Sequence, residues 1–180
     1  MANLTNLPEP ADLVDLLRLY PATAALALPL AEQILRGESP LSVMQRELLF
    51  AYGSGLNACH YCHGAHTAAA EALGLDSNLM ADLIDNIDTA AIDEDFKPLL
   101  HYVKKLTLTP SRVSRSDADA VRAAGWSDDA LHSAISVCAL HNFFNRWIDG
   151  SGVDGEDAYL KDRGEFLAGN GYLPNNTNRD

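Results

Sequence analysis

The chain has 180 residues, of which 47% are hydrophobic and 21% are charged. This composition is that of an ordinary globular protein, and the length suits one domain whose core needs no disulfide or metal to stabilise it. The formal charge of -12 at neutral pH argues against a nucleic-acid-binding protein, because there is no basic stripe to neutralise phosphates.

Nothing in the sequence indicates a membrane protein. No run of about 18 apolar residues occurs, and no basic amphipathic face is present for an anionic membrane. The first residues, MANLTNLPEPADL, lack the charged and apolar regions of a signal peptide. We therefore expect a cytoplasmic protein with no nucleic-acid partner and no membrane partner.

Helix signals recur along the chain, whereas no stretch shows the period-two alternation of a strand. Ser42 with Gln45 is a capping-box pattern, and Ser77 is expected to cap a later helix. After a lead-in over residues 1–9, helices are predicted over residues 11–19, 22–35, 43–57, 59–72, 78–87, 96–108, 116–124, 128–148 and 156–166. Residues 167–180 are expected to form a loose tail. The prediction is a single all-α domain over residues 1–180.

The segment from Glu47 to His66 concentrates the reactive side chains of the chain. After Glu47 no Asp, Glu, Lys or Arg occurs until Glu71, so the segment should be mostly buried. It nevertheless contains Cys59, Cys62 and several histidines. Burial of polar and reactive groups is costly unless they have partners. This segment is therefore the candidate functional site.

The spacing of these residues suits reversible thiol oxidation. On a helix, Cys59, Cys62 and His66 fall within a sector of about 60°. Cys62 and His66 are i,i+4 neighbours, so an imidazole can meet a thiol, and two cysteines at i,i+3 can close a disulfide. A position near a helix N-terminus is expected to lower the pKa of a thiol. Glu47, on the preceding helix, could accept or relay the proton.

A C-x-x-C pair in a reducing compartment is typical of a redox-active site or of a metal site. Three hypotheses follow: a thiol-dependent peroxidase, a thiol–disulfide oxidoreductase or redox sensor, and a metal-binding structural module. The third would use Cys59, Cys62, His63 and His66, but no second ligand pair occurs elsewhere in the chain. We therefore expect neither a metal ion nor a cofactor.

The remaining cysteine and histidines form no comparable pattern. Cys138 lies in the apolar run AISVCAL and is expected to be an inert core thiol. His101, His132 and His141 have no constellation of reactive residues around them, although His141 opens the notable run HNFFNRW. The function is therefore sought in the joint spacing around the C-x-x-C pair.

The spacing Glu47, Cys59, Cys62, His66 resembles the E-x11-C-x2-C-x3-H signature of the AhpD-like alkylhydroperoxidases, within the carboxymuconolactone decarboxylase-like superfamily. The resemblance extends over residues 42–75, and the later segment FFNRWIDGSGVD is similar to the C-terminal motif of the peroxidase-related branch. One departure is that AhpD has a histidine directly before the second cysteine, where this chain has Tyr61, with His60 before it.

The resemblance implies an AhpD-like multi-helix bundle that forms homo-oligomers, as trimers or hexamers. It implies a peroxidase that reduces a hydroperoxide substrate without haem or metal and is recycled by an external dithiol reductant. By the same resemblance, Cys62 would be the peroxidatic thiol, Cys59 the resolving thiol, His66 the base that activates Cys62, and Glu47 the proton relay. The decarboxylase branch lacks the cysteine pair, so decarboxylation is not expected.

Overall fold

A computed structural model describes residues 2–173, and all the regular secondary structure in that range is helical. The predicted all-α class is thus confirmed. The helices are α1 (Leu13–Leu19), α2 (Pro21–Arg36), α3 (Val43–Leu56), α4 (His60–Ala72), α5 (Leu79–Asp85), α6 (Lys97–Leu108), α7 (Arg115–Ala123), α8 (Asp128–Ser151) and α9 (Asp157–Asn170), with a short 3-10 helix at Pro110–Arg112 between α6 and α7.

Helix α3 is the central helix of the bundle. It begins with the predicted capping box, in which Ser42 Oγ accepts from the Gln45 backbone and the Gln45 side chain accepts from the Ser42 backbone. Its residues are buried on nearly every side from position 46 to position 54, as expected for a helix enclosed by others. It packs against α4, α6 and α8, and a Cβ added at Gly53 would come within 2.1 Å of the His141 ring on α8. Glycine thus permits this close crossing.

Helix α4 lies between α3 and α9, which are its most extensive neighbours. The approach of α9 depends on Gly164, because a Cβ there would come within 2.3 Å of the Ala65 carbonyl oxygen. All nine helices contribute buried apolar side chains to one continuous hydrophobic cluster.

Among the helices of residues 2–173, none combines the length and the hydrophobicity that a membrane span requires.

Several predicted helix ends differ from the structure, and local hydrogen bonds explain the differences. Ser77 does not cap α5: its N-cap is Asn78, whose N–H donates to the Asp76 carboxylate at 2.8 Å. Helix α7 is capped by Ser114, not started by Ser116, because the carboxylate of Asp117 accepts the Ser114 N–H at 2.7 Å.

The end of the chain also departs from the prediction. Helix α8 continues to Ser151 and stops at Gly152, where φ is +71°. Helix α9 continues to Asn170 and stops at Gly171, where φ is +72°. Residues 167–170, expected in a loose tail, are therefore helical, and the last part of that predicted tail, residues 174–180, lies outside the described residues.

Candidate active site

The structure places all four predicted site residues in the interior, at the junction of α3 and α4. Glu47 lies in the second turn of α3, Cys59 is the N-cap residue of α4, and Cys62 and His66 follow on α4. All four are buried, and the side chain of Glu47 has no exposed surface. The predicted burial of these residues is therefore observed, and they lie together at this junction.

The Glu47 carboxylate is the centre of a hydrogen-bond network. Its Oε2 accepts from His66 Nδ1 at 2.6 Å, and its Oε1 accepts from the Tyr172 hydroxyl at 2.6 Å and from Arg36 Nη1. Burial raises the pKa of Glu47, but the facing His66, Arg36 and Tyr172 outweigh it and hold that pKa below its ordinary value. Glu47 is therefore ionised in the folded protein.

An ionised Glu47 fixes the tautomer and the orientation of His66. A carboxylate accepts only, so the ring proton lies on Nδ1 and Nε2 is the basic nitrogen. Phe50 stacks on the imidazole with ring centroids 3.6 Å apart and planes 16° apart. Tyr172 lies nearly parallel to the same ring, at a centroid distance of 6.0 Å. The ring is thus held by a hydrogen bond and by aromatic contacts, with Nε2 able to take a proton.

The two cysteines are adjacent and reduced. Cys59 and Cys62 approach to 3.4 Å without a disulfide. The interaction with Cys59, followed by burial, raises the pKa of Cys62 well above the ordinary thiol value, while the side-chain amide of Asn145 acts in the opposite direction. The expectation that the helix N-terminus lowers the thiol pKa is therefore wrong for Cys62. Its neighbour is a second thiol, and its surroundings hold little water to solvate a thiolate.

Cys62 and His66 line one small cavity of about 30 Å³. Cys59 does not contribute to its wall, so Cys62 is the thiol that a molecule in the cavity would meet. Most of the remaining wall is apolar and comes from α1, α2, α3, α8 and α9: Leu13, Leu28, Ala31, Leu35, Phe50, Phe144, Ile148 and Leu167. Within the described residues, no hydrogen bond joins His66 to Cys62 in this state.

Three residues that contact this cluster were not predicted. Arg36 ends α2, and its guanidinium also donates to the carbonyl oxygens of Leu35 and Leu167. Tyr172 belongs to the segment expected to be a loose tail. Its backbone N–H donates to the Glu32 carboxylate at 2.7 Å, which holds the residue over the site. The sequence carries no local signal for either contact.

Asn145 is the third such residue, and its sequence context could have indicated the contact. It is a buried amide in the run HNFFNRW on α8, and a buried amide side chain needs partners. Its Nδ2 donates to Ser54 Oγ at 2.9 Å and its Oδ1 accepts from Asn57 at 2.8 Å. Both partners lie near the end of α3, just before the cysteine pair, so Asn145 supports the turn that carries Cys59.

The other histidines of the motif point elsewhere. His60 is exposed and its ring nitrogens face Asp154 at 2.9 Å and Asp157 at 3.2 Å; the hydrogen bond to Asp154 raises the pKa of His60. His60 therefore does not replace the histidine that AhpD has before its second cysteine. His63 Nδ1 contacts the Ala51 carbonyl oxygen at 3.0 Å.

A metal site is not formed by this arrangement. His63 is directed at the α3 backbone and His66 at Glu47, so the four residues of the metal-binding hypothesis do not converge. In the part of the chain that the structure describes, no group of three or more His, Cys, Asp or Glu side chains is placed to hold a metal ion.

Two other residues singled out in the sequence, Cys138 and His141, lie in the core, whereas His101 and His132 are exposed. Cys138 is buried beside Thr107 and Asn142, and burial raises its thiol pKa. His141 is fully buried, and burial lowers its pKa to about 4. Its Nε2 lies 3.4 Å from Thr107 Oγ1, and its Nδ1 has no hydrogen-bond partner. His141 is therefore neutral in the folded protein.

The fold is shared with solved structures. An uncharacterized peroxidase-related protein from Silicibacter sp. TM1040 is 24% identical, with a TM-score of 0.75 over 83% of this chain and 80% of that chain. The alkylhydroperoxidase AhpD core of an uncharacterized peroxidase-related protein from Ralstonia eutropha JMP134 is 20% identical, with a TM-score of 0.76 over 83% of this chain and 78% of that chain. No protein-family model and no curated protein matches the sequence. The predicted AhpD-like fold is thus confirmed.

Proposed function

We propose that this protein is a thiol-dependent peroxidase that reduces hydroperoxides through the Cys59–Cys62 pair. The observation that carries the proposal is the shared cavity of Cys62 and His66, with His66 fixed by the ionised Glu47. A thiol, a base one helical turn away and a buried carboxylate that orients the base are the groups that an activated nucleophile requires. The similarity in fold to peroxidase-related proteins supports the same assignment.

The first step oxidises Cys62. His66 Nε2 takes the thiol proton, and the ion pair with Glu47 stabilises the resulting imidazolium. The thiolate sulfur attacks the terminal oxygen of the hydroperoxide, and the O–O bond breaks. The alkoxide that leaves takes the proton from His66 and departs as an alcohol, while Cys62 becomes a sulfenic acid. Because the pKa of Cys62 is raised, proton transfer to His66 is an essential part of this step.

The second step forms a disulfide. Cys59 attacks the sulfur of the Cys62 sulfenic acid, its thiol proton joins the displaced hydroxide, and water leaves. The 3.4 Å separation of the two residues means that little movement is needed. An external dithiol then reduces the disulfide by exchange and is itself oxidised.

The burial of both thiols distinguishes this proposal from a thiol–disulfide oxidoreductase or redox sensor acting on other proteins. Cys59 is fully buried, and the exposed fraction of Cys62 is 2%. In the reduced protein a protein disulfide cannot approach either sulfur, whereas a peroxide is small enough for the cavity, and the external dithiol acts only on the disulfide form. The geometry therefore supports the peroxidase more strongly than the oxidoreductase.

We also propose that the protein is a cytoplasmic homo-oligomer, a trimer or a hexamer. A reducing compartment keeps both thiols available for the reaction. The exposed side chains of Leu26, Leu30 and Phe143 line one apolar groove between α2 and α8, and a contiguous apolar surface is typical of an interface. Leu26→Glu should lower the mass measured by light scattering, whereas a monomeric wild type would overturn this part of the proposal.

The peroxidase proposal is tested by steady-state peroxide consumption with a small dithiol as the reductant. Cys62→Ser should reduce consumption to the uncatalysed rate, while Cys138→Ala serves as the matched control, because Cys138 is a buried thiol outside the site. Full turnover in Cys62→Ser would refute the assignment. Insulin-type disulfide reduction by the wild type, without peroxide consumption, would establish the oxidoreductase instead.

A further inference from the structure

The wall of the Cys62 cavity reaches the protein surface on one side. Most of its described members are buried, and the partly exposed ones are Leu13, Leu28, Arg163 and Tyr172. The first three lie on α1, α2 and α9, whereas Tyr172 is the one wall residue within residues 2–173 that lies outside the helices. We therefore expect a molecule from solvent to enter between these four side chains, of which Tyr172 is the one that no helix holds in place.

The backbone of Tyr172 is attached to α2. Helix α9 ends at Asn170, and Gly171 follows with a φ of +72°. A Cβ at Gly171 would come within 2.6 Å of the Glu32 carboxylate, so glycine permits the chain to lie this close to α2. The Tyr172 N–H donates to the same carboxylate at 2.7 Å. Glu32 thus anchors the backbone of Tyr172 beside the cavity.

The side chain of Tyr172 extends from this anchor to the reactive residues. Its hydroxyl donates to Glu47 Oε1 at 2.6 Å and lies 3.3 Å from His66 Nδ1. The Arg36 guanidinium covers the ring, with Cζ 5.0 Å from the ring centroid. The ring therefore lies beside His66 at the edge of the cavity, and separate hydrogen bonds to Glu32 and Glu47 keep it there.

The cavity that Tyr172 helps to close is small. Its volume is about 30 Å³, against about 10 to 15 Å³ for one water, and the exposed fraction of Cys62 is 2%. A peroxide of a few non-hydrogen atoms fits this space, whereas a bulky molecule needs a wider entrance. Displacement of Tyr172 would widen the entrance without unfolding a helix, because its hydrogen bonds to Glu32 and Glu47 are not part of one.

We propose that Tyr172 is the specificity-determining residue at the entrance of the Cys62 cavity. When it is docked on Glu32 and Glu47, its side chain narrows the entrance, so that small peroxides react readily and bulky molecules react slowly. Loss of either hydrogen bond widens the entrance and reduces this selectivity. Selectivity among peroxides rests on the proposed peroxidase function, whereas access to the Cys62 thiol does not depend on it.

The first test measures access without turnover. The reduced protein is alkylated with N-ethylmaleimide or with the bulkier fluorescein maleimide, and the rate at Cys62 is followed by peptide mass spectrometry. Tyr172→Ala should raise the rate for the bulky reagent, relative to that for the small one, by about tenfold or more. Glu32→Ala, which leaves the tyrosine and the reactive residues unchanged, should raise the same ratio by a smaller factor. An unchanged ratio in both variants would overturn the proposal.

Three controls separate access from other effects. Leu173→Ala and Glu38→Ala change exposed residues outside the cavity wall and should leave the ratio unaltered. Cys138 is a buried thiol outside the cavity and reports general loosening of the fold. An equal rise of the ratio at Cys138 would therefore also overturn the proposal. A merely structural effect on His66 would change the rates of both reagents at Cys62 equally and leave their ratio the same.

The second test compares turnover of cumene hydroperoxide with that of hydrogen peroxide. Tyr172→Ala should raise kcat/KM for cumene hydroperoxide, relative to that for hydrogen peroxide, by about tenfold or more, although both values fall with the loss of the hydrogen bond to Glu47. An unchanged ratio would overturn the role of Tyr172 in substrate selection and leave the peroxidase intact. Altered maleimide selectivity in Tyr172→Ala, with neither peroxide consumed by the wild type, would refute the peroxidase and confirm the control of access.

Discussion

The Glu47 carboxylate lies 2.6 Å from Nδ1 of His66, although the two residues are nineteen positions apart on different helices. The capping box that starts α3 and the turn that starts α4 bring them together. Arg36 and Tyr172 complete the hydrogen bonds of the carboxylate. A buried carboxylate is stable while its partners are present. Removal of one charged partner leaves the opposite charge buried without compensation, which destabilises the fold.

Replacement of Glu47 by Gln should therefore impair both stability and activity. The Arg36 guanidinium would lose its buried counter-charge, and we expect the free energy of unfolding to fall by about 3 to 5 kcal/mol. His66 would lose the group that orients it, so kcat/KM for peroxide should fall about 100-fold or more. Urea unfolding and peroxide consumption measure the two effects. Glu165→Gln, at an exposed position on α9, is the control, and equal behaviour of the two variants would contradict the network.

Tyr172→Phe isolates one hydrogen bond of the network. It removes the hydroxyl that donates to Glu47 and keeps the ring beside His66. A hydrogen bond to a charged group contributes about 1.5 to 3 kcal/mol, so the free energy of unfolding should fall by that amount. Tyr20→Phe, at an exposed tyrosine, should change it by less than about 0.5 kcal/mol. If the two substitutions had the same small effect, residue 172 would not be docked on the site in solution.

His141 should make the protein sensitive to acid. Its pKa is about 4 in the folded protein, against about 6.5 for an unfolded histidine. Between these values the unfolded chain binds a proton that the folded protein does not, so stability is lost as the pH falls from about 6.5 towards 4. The loss should reach about 3 kcal/mol. Glu47, with its lowered pKa, adds a loss in the same direction below about pH 4.3.

Urea unfolding of the wild type and of His141→Leu, followed from pH 7 to pH 4.5, tests this account. The wild type should lose stability over this range. The variant should lose less, and the difference between the two losses should equal most of the His141 contribution. The same pH slope in both proteins would show that His141 is protonated when folded. The buried Nδ1 without a partner would then have to be hydrated.

The raised pKa of Cys62 has two measurable consequences. The largest cause of the raised pKa is the interaction with Cys59. Cys59→Ala should therefore lower the pKa of Cys62, which is measured from the pH dependence of its alkylation by iodoacetamide. In the wild type, the folded protein keeps the thiol proton after the unfolded chain has lost it, near pH 8.5. Stability should therefore decline as the pH rises above that value. An unchanged alkylation profile in Cys59→Ala would refute the assigned cause.

Much of the fold was predictable because its signals are local. Helical periodicity, the Ser42–Gln45 capping box and the glycine and proline stops act within a few residues, and they located nine helices in the described part of the chain. The errors at Ser77 and Ser116 arose where neighbouring aspartates accept the backbone N–H groups of other residues, Asp76 that of Asn78 and Asp117 that of Ser114. Which of these hydrogen bonds forms is decided by geometry that the sequence pattern does not contain.

The site was predictable only in part, for the same physical reason. The spacing placed Cys62 and His66 together, since one helix determines their relation, and Cys59 lies at the N-cap of that helix. Tyr172 is 125 residues from Glu47, and its contact depends on how α9 crosses α4. The environment of Cys62 likewise depends on tertiary packing, which is why its pKa shift was predicted in the wrong direction.

The central claim is tested most directly by a titration of the reduced protein with one equivalent of hydroperoxide, followed by a count of free thiols. The account predicts rapid loss of two thiols from the wild type, and in Cys59→Ser a sulfenic acid on Cys62 that a dimedone-type probe traps. The third thiol, Cys138, should remain free in both proteins. Thiol loss no faster than that of an ordinary exposed cysteine, with no trapped sulfenic acid, would contradict the peroxidase mechanism.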